Sequence, residues 1–418
     1  MSNGNVMNRW WVVVGAVLIQ LSLGAIYAWS VFTPPLKEAG WTKLETQIVF
    51  SVGLAVFAII MVWAGKQLSS WGPRKMAVGS GLVLGLGYVM AGVLDATNFT
   101  SLVVFIGVIG GTGIGLGYVV PITVGMRWFP DKKGLITGLA VAGFGFGAMG
   151  WVKLAGEWGY LLQNLGLAKT FIAYGITFAV LILIGSIWMV FPPEGWKPAG
   201  YTPPAPAPAP VGRRLVGGLV GSQLLGAAQF YLIFITFVFS AGAGLMVIGL
   251  MKLYPMEALT RGGMGVAEAS AISGTAMAVF FSLANGVGRI AWGSLSDKLG
   301  RKRSIVIMAA SQGVLVLAFT FLAGHKSLLY LGASLIGFNF GGNFALFPTM
   351  TADVFGAKNV GRNYPYVFLA YGVGGIFGPI LGGQLGDMGT FPLAFTICGV
   401  LCIIGATLTA LVRVPTAA

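Results

Sequence analysis

Acid is scarce in this chain. Its 418 residues hold 11 aspartates and glutamates against 25 lysines and arginines, with one histidine and two cysteines. Charged residues are 9% of the total, where a soluble domain carries about 25%. The lone His325, in "AGHKS", cannot supply both axial ligands of a haem or the two histidines of an HExxH zinc site. GxSxG and GxxxxGK[ST] are both missing. Together these absences argue against a respiratory cytochrome, a membrane protease and an ATP-driven pump. Cys398 and Cys402 share one apolar segment and read as packing residues rather than a disulfide or metal pair.

What is abundant is apolar surface. Hydrophobic residues make up 56% and mean hydropathy is +0.87. A soluble protein of this composition would lack the polar surface that keeps it dissolved. The 66 glycines suit membrane helices, whose backbones approach closely. Apolar runs extend for about twenty residues or more, which excludes the roughly ten-residue alternation of a membrane β-barrel. The first run, "RWWVVVGAVLIQLSLGAIYAWSVF", is too long for a signal peptide and reads as a retained helix. An all-α polytopic membrane protein follows. Twelve transmembrane spans are expected at 10–33, 46–65, 76–94, 100–128, 134–155, 169–191, 222–250, 267–292, 304–323, 328–351, 364–386 and 391–412. "PPEGWKPAGYTPPAPAPAPVGRR" cannot form a regular helix and reads as a semi-rigid linker. It divides the chain into an N-terminal six-helix half (1–191), a cytoplasmic Pro/Ala-rich linker (192–221) and a C-terminal half (222–418).

The basic residues orient the bundle. With a cytoplasmic N-terminus, 17 lysines and arginines fall inside and 7 outside, Arg289 being the one left within a span. This obeys the positive-inside rule and puts both termini in the cytoplasm. The net charge of +14 is then a matter of topology beside anionic lipid, and no nucleic acid partner is implied.

The halves repeat. "GKQLSSWGPRK" (65–75) and "GSLSDKLGRKR" (293–303) each follow the second span of a half and align at an offset of 228 residues. "RWFPDKKG" and "ADVFGAKNVG" each follow a fourth span. Two parallel six-span halves resemble the major facilitator transporters. Gly293, Asp297, Gly300, Arg301 and Lys302 resemble that superfamily's gating loop, implying that the acid and the bases latch one conformation. The first copy departs from the pattern, with Ser69 in the acid's place.

Arg289 is the remaining puzzle. All eleven acids fall in expected loops or near span ends, so no buried carboxylate is available to it. A guanidinium inside the bilayer costs at least ~2.5–3.5 kcal/mol and does not shed its charge. Thr275, Ala278, Ser282, Asn285 and Arg289 follow steps of three and four, a polar stripe on one helix face. Two readings stand. Either Arg289 holds a substrate anion through paired hydrogen bonds, or it snorkels to the interface near Gly293 and Asp297.

"GAIYAWSVF", "RWFPDKKGLITGLAVAGFGFG", "NGVGRIAWGSLSDKLGRKR" and "GGNFALFPTMTADVFG" resemble the oxalate/formate antiporter family, allied to the monocarboxylate transporters. The resemblance implies that Arg289 binds a carboxylate and that Tyr27, Tyr118, Phe144, Phe340, Phe344 and Phe368 cage it. Two positions depart. Tyr371 stands where the oxalate carrier has a second cation, a lysine. Asn285 stands where proton-coupled monocarboxylate transporters of animals carry an aspartate. One arginine plus a tyrosine hydroxyl suits one carboxylate better than two, since a second buried charge would go unpaired.

The expected function is therefore secondary transport of a lactate-, pyruvate- or formate-like anion by alternating access, as exchange or as proton-coupled symport. Oxalate/formate antiport is the alternative, and an anion channel or a carboxylate sensor the other class. An enzyme, a cofactor and a metal are not expected. A monomer in the cell inner membrane is.

Overall fold

A computed structural model of the chain describes residues 7–156, 158–201, 218–251 and 253–413. Most of the Pro/Ala tract expected to link the halves lies outside the described residues. Among the described residues, twelve long helices make up the bundle. The first six are α1 (Trp10–Leu23, continued by 3-10 turns over Gly24–Phe32), α2 (Lys43–Trp71), α3 (Pro73–Leu94), α4 (Phe99–Trp128), α5 (Lys133–Ala155) and α6 (Leu161–Ser186). The second six are α7 (Ala228–Leu250), α8 (Val266–Leu299), α9 (Arg301–Leu322), α10 (Lys326–Phe355), α11 (Val360–Asp387) and α12 (Phe391–Ala410). The described residues contain no strand. Eleven of the helices are long and apolar enough to cross a membrane. The twelfth, α10, is as long at 30 residues, but Asn339 and Asn343 dilute its hydropathy. Those asparagines join an interior network in which Ser240 donates to Asn343 Oδ1, and Asn339 accepts from Trp292 Nε1 and donates to Ser311. Polar side chains buried this way hold membrane helices together.

The repeat is visible in the packing. In the first half α1 packs on α5, α2 on α4 and α3 on α6; in the second, α7 packs on α11, α8 on α10 and α9 on α12. The halves meet along α5–α8 and α2–α11. Prolines sit inside α4 (Pro121) and α10 (Pro348), an offset of 227 residues. Prolines inside membrane helices are tolerated where neighbouring helices satisfy the freed backbone. On the outside, Ile59, Leu82, Val93, Ile184 and Phe321 are exposed. So much exposed apolar surface is stable only against lipid.

The helices run past the apolar segments read from the sequence. α2 continues to Trp71 and α8 to Leu299 before glycines stop them. The stretch expected to be a gating loop is thus mostly helix. Gly293 and Asp297 ride on the end of α8, Arg301 and Lys302 open α9, and Gly300 alone turns the chain. Hydropathy falls in "GSLSDKL", but leucine, lysine and serine carry a helix well enough in water. Gly72 and Gly300 adopt the same left-handed backbone, φ 79° and ψ 156° against φ 84° and ψ 149°. A side chain at either position would be strained.

Both described chain ends lie at this end of the bundle. Arg9 pairs with Asp131 at 2.8 Å, and the Arg413 N–H donates to Gln229 at the start of α7. We refer to it as the basic end.

Candidate functional site

The Arg289 side chain is fully buried, at 0% exposure. The snorkelling alternative is therefore excluded. α5 and α10 close over α8 at glycines, with Gly138 against the Arg289 carbonyl and Gly288 against the Phe338 carbonyl. Arg289 Nε donates to Asn285 Oδ1 at 3.1 Å, one turn earlier on α8, and Nη1 donates to the Val141 carbonyl of α5 at 3.0 Å. Nη2 has no hydrogen-bond partner among the described residues. The described ion pairs all lie elsewhere. A guanidinium carries five N–H donors, so its two bonds leave donors free, including both on Nη2.

Aromatic rings make up the rest of the surroundings. The guanidinium carbon lies 4.1 Å from the Phe344 centroid and 5.3 Å from that of Phe144, within cation–π reach. Tyr27 meets Phe144 at 5.0 Å, Tyr118 meets Phe144 at 5.5 Å and Phe368 at 5.1 Å. Phe340 meets Phe344 at 5.2 Å, and Tyr371 meets Phe344 at 5.5 Å and Phe368 at 4.9 Å. The Tyr27 and Tyr371 hydroxyls bond to each other at 2.6 Å across α1 and α11. The Tyr118 hydroxyl is buried beside the guanidinium and meets no geometric hydrogen-bond partner among the described residues. Every one of the nine residues picked from the sequence as a substrate contact thus falls in one connected cluster.

The polar stripe on α8 is shorter than its spacing implied. A π-helical stretch, Ala276–Phe281, interrupts α8. Its wider turn breaks the phase of steps of three and four. Ser282 Oγ donates to the Met277 carbonyl, five residues back, while Thr275 donates to Ala271 away from the cluster. Of the five, Ser282, Asn285 and Arg289 are buried, whereas Thr275 and Ala278 are partly exposed.

Two cluster members escaped the sequence reading. Phe57 of α2 lies 5.1 Å from Tyr118 and 5.0 Å from Phe368. It occupies the position that the 228-residue repeat pairs with Asn285, which is the signal that could have found it. Tyr364 lies 5.6 Å from Phe368, and its hydroxyl is buried without a hydrogen-bond partner among the described residues. The steps Tyr364, Phe368 and Tyr371 along α11 mark one helix face.

At the basic end Asp297 caps α5. Its two carboxylate oxygens accept from the Gly134 and Leu135 N–H groups at 3.1 and 3.0 Å. Arg301 pairs with Asp297 at 2.6 Å and with Asp353 at 3.3 Å, and it also donates to Ser296. Lys133 of α5 reaches Asp353 at 3.8 Å. Gly293 and Gly134 face each other so closely that a Cβ on either would stand 2.3 Å from the other's carbonyl oxygen. Lys302 takes part in no described ion pair.

Helix packing and internal repeat describe a membrane protein of two six-helix halves, with a buried cation where they meet. The chain matches the sequence profile of the Major Facilitator Superfamily over residues 12–281 and 263–418, and it belongs to that family. It is 28% identical over 380 residues to the uncharacterized MFS-type transporter YhjX of Escherichia coli K12, covering 88% of this chain and 86% of that one. It is 25% identical over 414 residues to the oxalate:formate antiporter of Oxalobacter formigenes, covering 97% and 92%. The apicoplast pyruvate carrier 1 of Toxoplasma gondii is 27% identical over 382 residues, covering 80% of this chain and 67% of the carrier. The proton:xylose symporter XylE superposes with a TM-score of 0.70 at 14% identity, over 98% of this chain and 97% of that one. That likeness shows the fold.

Proposed function

We propose that this transporter carries small monocarboxylate anions. The observation that carries the reading is the state of Arg289: a permanently charged, fully buried guanidinium, without a carboxylate partner among the described residues and with Nη2 unbonded. A buried charge left unpaired is costly, by about 3–5 kcal/mol where a partner is removed. An incoming carboxylate supplies that partner and two oxygens for the free N–H groups. Oxalate:formate antiport and pyruvate carriage by two relatives agree with the chemistry.

In this mechanism Asn285 and the Val141 carbonyl hold the guanidinium in place while the anion binds the free side. The Tyr27–Tyr371 hydroxyl pair opens toward the anion's oxygens, and the rings of Phe144, Phe344 and Phe368 exclude water. Pairing removes the cost of an isolated buried charge, so the loaded carrier crosses between its two states more readily than the empty one. Exchange is then faster than net flux. The basic end faces the cytoplasm, as its lysines and arginines require, and Asp297 and Arg301 latch it shut. The domain boundary falls between α6 and α7.

Purified protein in liposomes tests this. Arg289→Ala is expected to abolish counterflow of labelled lactate, formate and oxalate while retaining the folded melting profile. Normal uptake in that variant would sink the anion-site reading. A thermal-shift panel reads specificity, because a ligand bound only by the folded state raises the melting temperature. Monocarboxylates are expected to raise it more than oxalate. The opposite order would return the assignment to oxalate/formate antiport, with Tyr371 unable to discriminate. Saturable counterflow separates a carrier from a channel.

A further inference from the structure

A charged cavity lies at the basic end between α2 and α11, and Arg289 is not among its lining residues. It measures about 270 Å³ and is lined by Lys66 of α2, by Val220, Gly221 and Ser222 just before α7, and by Arg362 and Tyr366 of α11. Among the described residues, two cations and two hydroxyl-bearing side chains face it, and no acid does. Neither Lys66 nor Arg362 takes part in an ion pair among the described residues. The Lys66 ammonium sits 5.7 Å from the Tyr366 ring centroid. The third wall is held in place. Asn363 accepts from the Gly221 N–H at 2.8 Å and donates to the Leu219 carbonyl at 3.0 Å.

The cavity straddles the α2–α11 seam, so its two cations belong to different halves of the molecule. In the seam related by the repeat, α5–α8, the carboxylate of Asp297 joins the halves. Ser69 stands in that acid's position on α2. The α2–α11 seam therefore has the glycine contact, Gly65 against the Gly361 carbonyl, and the cations, without the anion. We propose that the cavity binds a phosphate group between Lys66 and Arg362, and that this external anion clamps α2 to α11 as Asp297 clamps α8 to α5. The group is either the head group of an anionic phospholipid or free phosphate. Both present the same oxygens to a lysine and an arginine. The clamp biases the carrier toward the state in which the basic end is shut.

The test reads conformation and needs no transported substrate, so it fails separately from the carboxylate assignment. Spin labels are placed at Ser70→Cys on α2 and Asn359→Cys beside α11, on a Cys398→Ser, Cys402→Ser background. Distances are measured in nanodiscs of phosphatidylcholine, of phosphatidylglycerol, and of phosphatidylcholine with inorganic phosphate against chloride at equal ionic strength. Phosphatidylglycerol, phosphate or both are expected to raise the short-distance population relative to the long one by about fivefold or more. A response to the lipid alone identifies a head group, and a response to phosphate alone identifies the free ion. Lys66→Gln with Arg362→Gln is expected to remove the response, and Lys66→Arg to keep it. Unchanged distances in every arm, or a response that survives the double glutamine variant, would overturn the proposal.

Discussion

The α5–α8 and α2–α11 seams are two solutions to one problem. Each brings two glycines together at the basic end, Gly134 with Gly293 and Gly361 with Gly65. Each is followed by a glycine of nearly identical left-handed geometry, Gly300 and Gly72. The backbone repeats, but the side chains do not. Asp297 caps α5 and anchors Arg301, whereas Ser69 makes no such contact and Pro73 stands where the repeat would put Arg301. The central site shows the same division. Where α8 carries Asn285 and Arg289, the repeat places Phe57 and Met61 on α2. Both seams repeat the close glycine packing, while at the central site one half alone supplies the charge.

The glycine contacts should give the largest effect, and the same one in both seams. Gly293→Val and Gly65→Val each force a carbonyl contact apart, and overpacking of about 1–3 kcal/mol lowers counterflow roughly tenfold or more. A normal rate in either would show that its seam need not close. Asp297→Asn should then separate the seams. It removes a charge at a helix N-terminus worth up to ~2 kcal/mol. Cysteine-accessibility labelling should find the α5–α8 end opened, with Ser69→Ala silent; equal effects would erase the asymmetry. Arg301→Lys comes next, since a lysine cannot span Ser296, Asp297 and Asp353 together as the planar fork does. About a threefold loss of the closed population is expected by the same labelling.

The smallest effect lies far from both seams. Thr42 and Glu45 form a capping box at the start of α2. Thr42→Ala should lower thermal stability by about 1 kcal/mol and leave counterflow unchanged. The Thr42 backbone N–H, and then its hydroxyl, hold Glu45 below the usual glutamate range. Its contribution is therefore present above that usual value and fades as pH falls through the lowered one. A melting curve taken against pH should show the wild type losing this increment on acidification, and the alanine variant losing less.

Arg289 and Asn285 were legible from residue type and spacing, whereas the caging rings and Tyr371 were expected only from the family resemblance. An arginine in an apolar run is conspicuous, and the absence of buried acid could be counted from eleven residues. Phe57 was not legible from α2 alone, since a phenylalanine in a membrane span faces lipid or core equally well. It emerges only when its repeat mate Asn285 is known to face inward. The π stretch in α8 left no trace in the hydropathy, because one extra residue in a turn changes phase and not composition. The ends of α2 and α8 were misjudged for a related reason: apolarity ends where the bilayer does, and hydrogen-bonded helix continues past it.

The sequence by itself determined that this chain lives in a membrane, that it repeats, and that one positive charge lies inside it without an acid of its own. These follow from composition and spacing, which need no coordinates. Tertiary structure decided that Arg289 is fully buried, that Val141 and Asn285 take two of its donors, and which rings surround it. Those facts depend on where α5 and α10 cross α8. That crossing is set by glycine contacts between residues distant in the chain, beyond the reach of any local pattern.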